Sequence, residues 1–152
     1  MKIYLDSGNI SDIKSAASLG ILEGITTNPT LLSKESEDIK TIIKKITNIM
    51  SKCCSGFTIS VEVINTNSAN DIIAEARELS KINKHVVIKV PITKEGLKAV
   101  SILSSEDIMC NMTLCFSANQ ALLAAKAGAK YVSPFIGRIN DSGHDGMNLI
   151  EE

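Results

Sequence analysis

Polar side chains recur at one kind of place in this chain. Asp6, Thr26-Thr27-Asn28, Glu62, Lys89, Asn111 with Thr113, and Ser133 each lie in or at the end of a short run rich in β-branched and aliphatic residues. Lys89 is the most informative of them. It stands between Ile88 and Val90 in the nearly continuous apolar run His85-Val-Val-Ile-Lys-Val90, the pattern of a strand covered on both faces. A lysine is almost never fully buried without a partner. One reading is a buried ion pair with Glu62 or Asp6; the functional reading is a desolvated amine that attacks a carbonyl and forms a Schiff base. Glu62, flanked by Val61 and Val63, raises the same question, and a carboxylate so placed can move protons, commonly through a bound water. Asp6 and Asn28 taken singly also fit turn formers.

Two hydrophobic periods alternate around these residues. The runs 2–6, 24–27, 57–64, 85–90, 108–115 and 130–134 read as strands, the fourth ended by Pro91. Ile39, Ile42, Ile43, Ile46, Ile49 and Met50 recur at helical spacing, which predicts an amphipathic helix over about 37–52. Further helices are predicted after Ser11 as N-cap, after the capping box Ser68-x-x-Asp71, around Leu97, Val100 and Leu103, and from Ser117-x-x-Gln120 to Ala127. Gly20 and Gly128 serve as stops, and Met147–Glu152 starts a last helix. Asn28-Pro29 reads as a loop. Strands alternating with helices imply parallel βαβ units, which suit a doubly wound sheet or a (β/α)8 barrel. In either, functional groups gather at the C-terminal ends of the strands.

Composition narrows the function. The 152 residues hold 16 Lys+Arg against 17 Asp+Glu, a formal net charge of -1, so no basic excess is available for nucleic acid or an anionic membrane. No signal-like or spanning apolar run occurs, and a cytoplasmic location is expected. Cys53 and Cys54 are adjacent, and Cys110 and Cys115 lie in an apolar run, so buried thiols fit better than a disulfide or zinc framework. His85 and His144 offer no metal-ligand spacing. The lysines at 40, 44, 45 and 52 read as a solvated helix face, and Asp141, Gly143, Asp145 and Gly146 as a polar βα loop.

The residues resemble the transaldolases, in the short transaldolase and fructose 6-phosphate aldolase branch. The likeness runs from residue 1 to 152 and rests on Leu5-Asp6, Gly24-Ile-Thr-Thr-Asn-Pro29, Val61-Glu-Val63, Val87-Ile-Lys-Val-Pro91, Asn111-Met-Thr113, Asn119-Gln-Ala-Leu-Leu-Ala-Ala125, Ala127-Gly128 and Tyr131-Val-Ser-Pro-Phe-Ile-Gly-Arg138 in this order. It implies a (β/α)8 barrel and a metal-free, cofactor-free enzyme. Lys89 would be the Schiff-base lysine holding the dihydroxyacetone unit of a ketose phosphate. Asp6 would be the acid/base at the C4 hydroxyl, and Glu62 with Thr113 would hold the water that shuttles protons. Asn28, Asn111 and Ser133 would bind the donor hydroxyls, with Thr27 and Phe135 also lining the substrate. Arg138 would hold the substrate phosphate, which suits a guanidinium fork. Of Thr26 and Thr27, one is structural, and the residues alone do not say which.

The branch's aldolases tend to carry Gln where this chain has Glu62 and Tyr where it has Phe135, so both positions here resemble the transferases. A core aromatic is the plain alternative for Phe135. The resemblance also implies about two further β/α units, with a phosphate-binding Ser and Arg pair on the seventh strand. A (β/α)8 barrel needs about 200 residues, so residues 1–152 are expected to form one C-terminally incomplete barrel domain of about six units. Members of the branch are often ring-like homo-oligomers, so the resemblance implies a homo-oligomer for the full-length protein. Alternatives are a fructose 6-phosphate aldolase, an inactive barrel fragment, and a phosphosugar-binding module that uses Arg138 without turnover.

Overall fold

A computed structural model describes residues 1–152. Six strands lie in one sheet in chain order: β1 (Tyr4–Asp6), β2 (Gly24–Thr26), β3 (Thr58–Glu62), β4 (Val86–Pro91), β5 (Cys110–Cys115) and β6 (Tyr131–Pro134). Between them run α1 (Ile10–Ala17), α2 (Pro29–Leu32), α3 (Ile39–Met50), α4 (Ala69–Ser80), α5 (Lys94–Ser105) and α6 (Ala118–Lys126); α7 (Ile136–Asp141) and α8 (Asn148–Glu151) follow. A doubly wound sheet reverses its strand order at a switch point, whereas a barrel adds each strand beside the last. The unbroken order selects the (β/α) barrel class. Backbone contacts gather the chain into two compact units, residues 1–62 with 78–87, and residues 63–77 with 88–152.

In the first unit, β1 pairs parallel with β2 and β2 with β3, setting Tyr4, Gly24 and Thr58 in one row, Leu5, Ile25 and Ile59 in the next, and Asp6, Thr26 and Ser60 in the third. Alternation sends the middle row to one face and the outer two to the other. Ile25 and Ile59 are buried with Ile42, Ile43, Ile46 and Met50 of α3, the stripe that the helical spacing predicts. Asp38 caps α3, its carboxylate accepting the Lys40 and Thr41 N–H groups, and these bonds with the Thr41 hydroxyl hold its carboxyl below the usual range. A Cβ on Gly24 would lie 2.1 Å from the Tyr4 ring and 2.9 Å from the Thr58 carbonyl. The Tyr4 hydroxyl in turn lies 3.2 Å from the Thr58 hydroxyl. Gly24→Val is therefore expected to cost about 1–3 kcal/mol by overpacking, read as a fall in melting temperature, while Gly56→Ala, where a Cβ meets nothing within 4 Å, should leave it nearly unchanged.

In the second unit, β4 pairs parallel with β5 and β5 with β6. The register sets Lys89 beside Asn111 and Tyr131, and Pro91 beside Thr113. Ile88, Val90, Cys110 and Met112 fill the other face with Ala99, Val100 and Leu103 of α5 and Ala124 of α6. Cys110 is free and buried, and desolvation pushes its thiol up to about 12, so it behaves as a small apolar side chain.

Several local expectations need correction. Asn9, rather than Ser11, caps α1, its side-chain oxygen accepting the Ser11 and Asp12 N–H groups at 2.9 and 3.1 Å. Pro91 is the last residue of β4 rather than its terminator. Asn28-Pro29 opens the short helix α2: Pro29 takes the first turn, where its fixed φ fits and its missing N–H costs nothing. The chain enters α7 at once after β6, with no side-chain cap, where only the later helix was expected. The polar segment after it folds back as the Asn140 side-chain oxygen accepts the Gly146 N–H at 2.8 Å.

Candidate active site

Each unit presents polar side chains from the C-terminal halves of its strands. In the first, Asp6 ends β1 and accepts a hydrogen bond from the Thr26 hydroxyl at 2.8 Å. Their shared row in the register makes this pairing, so Thr26 is the threonine that orients the carboxylate. Thr27 is 1% exposed, and both its N–H and its hydroxyl donate to the Ser60 carbonyl, at 3.0 and 2.8 Å. Those bonds give Thr27 an anchoring role at the end of β2. Asn28 commits its side-chain carbonyl to the Leu31 N–H at 2.9 Å, leaving the amide NH2 as the group it can offer a ligand. Glu62 is half-buried at the end of β3, two residues beyond Ser60 and so on the same face.

In the second unit, Lys89 is 7% exposed and Asn111 4%, side by side across β4 and β5. Ser133 of β6 donates its hydroxyl to the Asn111 side-chain oxygen at 2.9 Å. Thr113 is 1% exposed, and its hydroxyl oxygen has no hydrogen-bond partner in the chain. Buried polar atoms are nearly always satisfied, and the Thr47 hydroxyl of α3 is the other buried one without a partner in the chain. Phe135 packs tilted against Phe116, ring centroids 5.7 Å apart at 59°. Arg138 is exposed on α7 with Asp141 3.6 Å away. It lines a cavity of about 510 Å³ with Phe116, Ser117, His144 and Asn148 among others.

No group of three or more His, Cys, Asp or Glu side chains is gathered as a metal site, and no helix is long and apolar enough to cross a membrane. Which of Thr26 and Thr27 is structural depends on the β1–β2 register, which local sequence does not display. Phe116 and His144 line the cavity from loops without periodicity, so no sequence pattern singles them out.

Residues 3–152 match the transaldolase/fructose-6-phosphate aldolase family. The chain is 52% identical over 152 residues to the "Probable transaldolase" of Clostridium kluyveri, covering 100% of this chain and 68% of that protein. The "Probable transaldolase" of Caldicellulosiruptor saccharolyticus is 55% identical over 152 residues, with 100% and 67% covered; that of Thermoanaerobacter sp. is 52% identical, with 100% and 68% covered. The buried lysine, the strand-end carboxylates and these likenesses lead to one statement: the chain belongs to the transaldolase/fructose-6-phosphate aldolase family.

Proposed function

We propose that this chain carries the chemistry of a transaldolase, moving a dihydroxyacetone unit from a ketose phosphate to an aldose phosphate. The observation that carries the reading is Lys89, an amine buried within a strand beside Asn111 rather than reaching out to water. Its amine attacks the C2 carbonyl of sedoheptulose 7-phosphate or fructose 6-phosphate. Loss of water from the carbinolamine leaves an imine, with Glu62 and the Thr113 hydroxyl holding the water that carries protons in and out. Asp6, oriented by Thr26, removes the C4 hydroxyl proton as the C3–C4 bond breaks, and the departing aldose leaves an enamine on Lys89. The imine nitrogen accepts the electron pair, which lets the reaction proceed without a metal. Attack of the enamine on glyceraldehyde 3-phosphate or erythrose 4-phosphate, with Asp6 returning its proton, forms the new ketose, and water then releases it.

Asn28, Asn111 and Ser133 bind the donor hydroxyls, Thr27 and Phe135 shape the pocket around them, and Arg138 holds the phosphate. Ser133 and Asn111 already share a hydrogen bond, so a donor hydroxyl joins an ordered pair instead of ordering two free side chains. The proposed substrates are sugar phosphates of the cytoplasm, and transfer of this kind belongs to the pentose phosphate pathway.

Transfer rather than release follows from Glu62 and Phe135. A tyrosine hydroxyl at 135 would add a proton donor that helps hydrate the imine, and Phe135 has none. Glu62→Gln combined with Phe135→Tyr is expected to raise dihydroxyacetone release relative to transfer, measured with fructose 6-phosphate with and without an aldose phosphate acceptor. An unchanged ratio would contradict the assignment of transferase character to these two positions.

A further inference from the structure

Phe116 follows β5 directly and is 46% exposed, although its side chain is large and apolar. Its backbone is fixed. The Phe116 N–H donates to the Gln120 side-chain oxygen at 2.7 Å, and the Gln120 N–H donates to the Ser117 hydroxyl at 3.2 Å. These reciprocal bonds tie the residue to the first turn of α6 in the manner of a capping box. An apolar residue just before a helix cap often packs on the fourth helical residue. Here that residue is Ala121, which offers only a methyl group, and the Phe116 ring packs on Phe135 instead.

Two neighbours define what the ring borders. One is Phe135, two residues beyond Ser133, whose hydroxyl is bonded to Asn111 beside Lys89. The other is the cavity of about 510 Å³ that Arg138 also lines. That volume lies in the usual range of a small-molecule site, about 300–1,000 Å³. Lys89, Asn111 and Ser133 do not line it, so the cavity is a space apart from the reacting groups, and Phe116 borders it while touching Phe135. Asp145 and Glu152 line it as well. A polyhydroxy chain ending in phosphate uses both kinds of charge: a guanidinium for the phosphate and carboxylates that accept from the hydroxyls.

We propose that Phe116 is a specificity-determining residue: its ring is the apolar wall along which the aldose portion of the substrate lies, between the carbons bound at Lys89 and the phosphate held by Arg138. A sugar chain presents C–H groups as well as hydroxyls, and a fixed ring gives the C–H groups an apolar face to pack on. The dihydroxyacetone unit lies outside its contact. This rests on the transaldolase reading above.

The test compares two ketones that form an imine at the same lysine. Dihydroxyacetone has only the three carbons of the transferred unit, whereas fructose 6-phosphate adds the aldose portion. Initial rates of borohydride-trapped adduct are measured against the concentration of each, on wild type, Phe116→Ala and Phe116→Tyr. Phe116→Ala should raise the half-saturating concentration of fructose 6-phosphate about 5- to 20-fold, the scale of losing apolar contact with part of one ring, and leave that of dihydroxyacetone within about twofold. Phe116→Tyr keeps the ring and should retain most of the affinity for fructose 6-phosphate. If Phe116→Ala is not recovered folded, Phe116→Leu keeps apolar bulk against Phe135 without the ring face, and should show the same selectivity at about threefold.

An equal rise for both ketones, the mark of a displaced Phe135 or a damaged fold, overturns the proposal, as does no rise for either. If the wild type forms adduct with neither ketone, the transaldolase reading fails and this one with it. If it forms adduct and loss of the Phe116 ring does not separate the two ketones, only the role of Phe116 fails.

Discussion

Lys89→Met should lower transfer turnover by at least about four orders of magnitude, the scale of removing a covalent nucleophile. Methionine is the informative replacement. It is unbranched, adapts to irregular space and brings no charge into a position that is 7% exposed, so the fold should hold. Lys89→Arg would be less clear, because a guanidinium is not an imine-forming amine and also introduces a permanent buried charge. The measurement is steady-state transfer from fructose 6-phosphate to erythrose 4-phosphate or glyceraldehyde 3-phosphate, with circular dichroism to verify that the variant is folded. Turnover within tenfold of wild type would remove Lys89 from the mechanism.

Asp6→Asn should slow C–C cleavage by about 10²- to 10⁴-fold, the usual worth of a general acid/base. An asparagine oxygen can still accept the Thr26 hydroxyl that meets Asp6 at 2.8 Å, so the geometry of the pair is retained and proton transfer is what is lost. The two steps separate by mass. With Asp6 present, trapped protein should carry a reduced three-carbon unit. In Asp6→Asn, imine formation at Lys89 continues while cleavage stalls, so the adduct should shift toward the intact ketose phosphate. A three-carbon adduct formed at the wild-type rate would assign the proton transfer to another group.

The balance of what the sequence discloses follows from the range of the interactions involved. The α3 stripe of Ile42, Ile43, Ile46 and Met50 is a local period backed by burial, and it appears in the structure as the spacing predicts. The same holds for Lys89: a charge inside an apolar run implies a strand covered on both faces, and the lysine is buried. Local capping chemistry was partly legible. Ser68 and Ser117 cap as their spacing predicts, the Asp71 and Gln120 N–H groups donating to their hydroxyls at 3.2 Å. Asn9 and Ser11 are both good caps, and where α1 begins decided between them.

Features set by partners distant in sequence were not legible. Thr26 meets Asp6 because β1 and β2 pair in a particular register. Leu114 takes a left-handed φ of 59° where the β5–β6 register shifts between Met112 and Cys115, and nothing in Met-Thr-Leu-Cys marks a left-handed residue. Helix α7 escaped because Gly137 and Asn140 are weak helix formers and the first turn lacks a side-chain cap.

Borohydride reduction in the presence of fructose 6-phosphate, followed by intact-mass measurement of wild type and Lys89→Met side by side, decides whether Lys89 forms the Schiff base. One reduced dihydroxyacetone unit is expected on the wild-type chain, located by peptide mapping to Lys89, and none on Lys89→Met. An adduct that survives in Lys89→Met would place the nucleophile elsewhere, and a folded wild-type chain that binds the sugar phosphate but takes no adduct would contradict Schiff-base chemistry altogether.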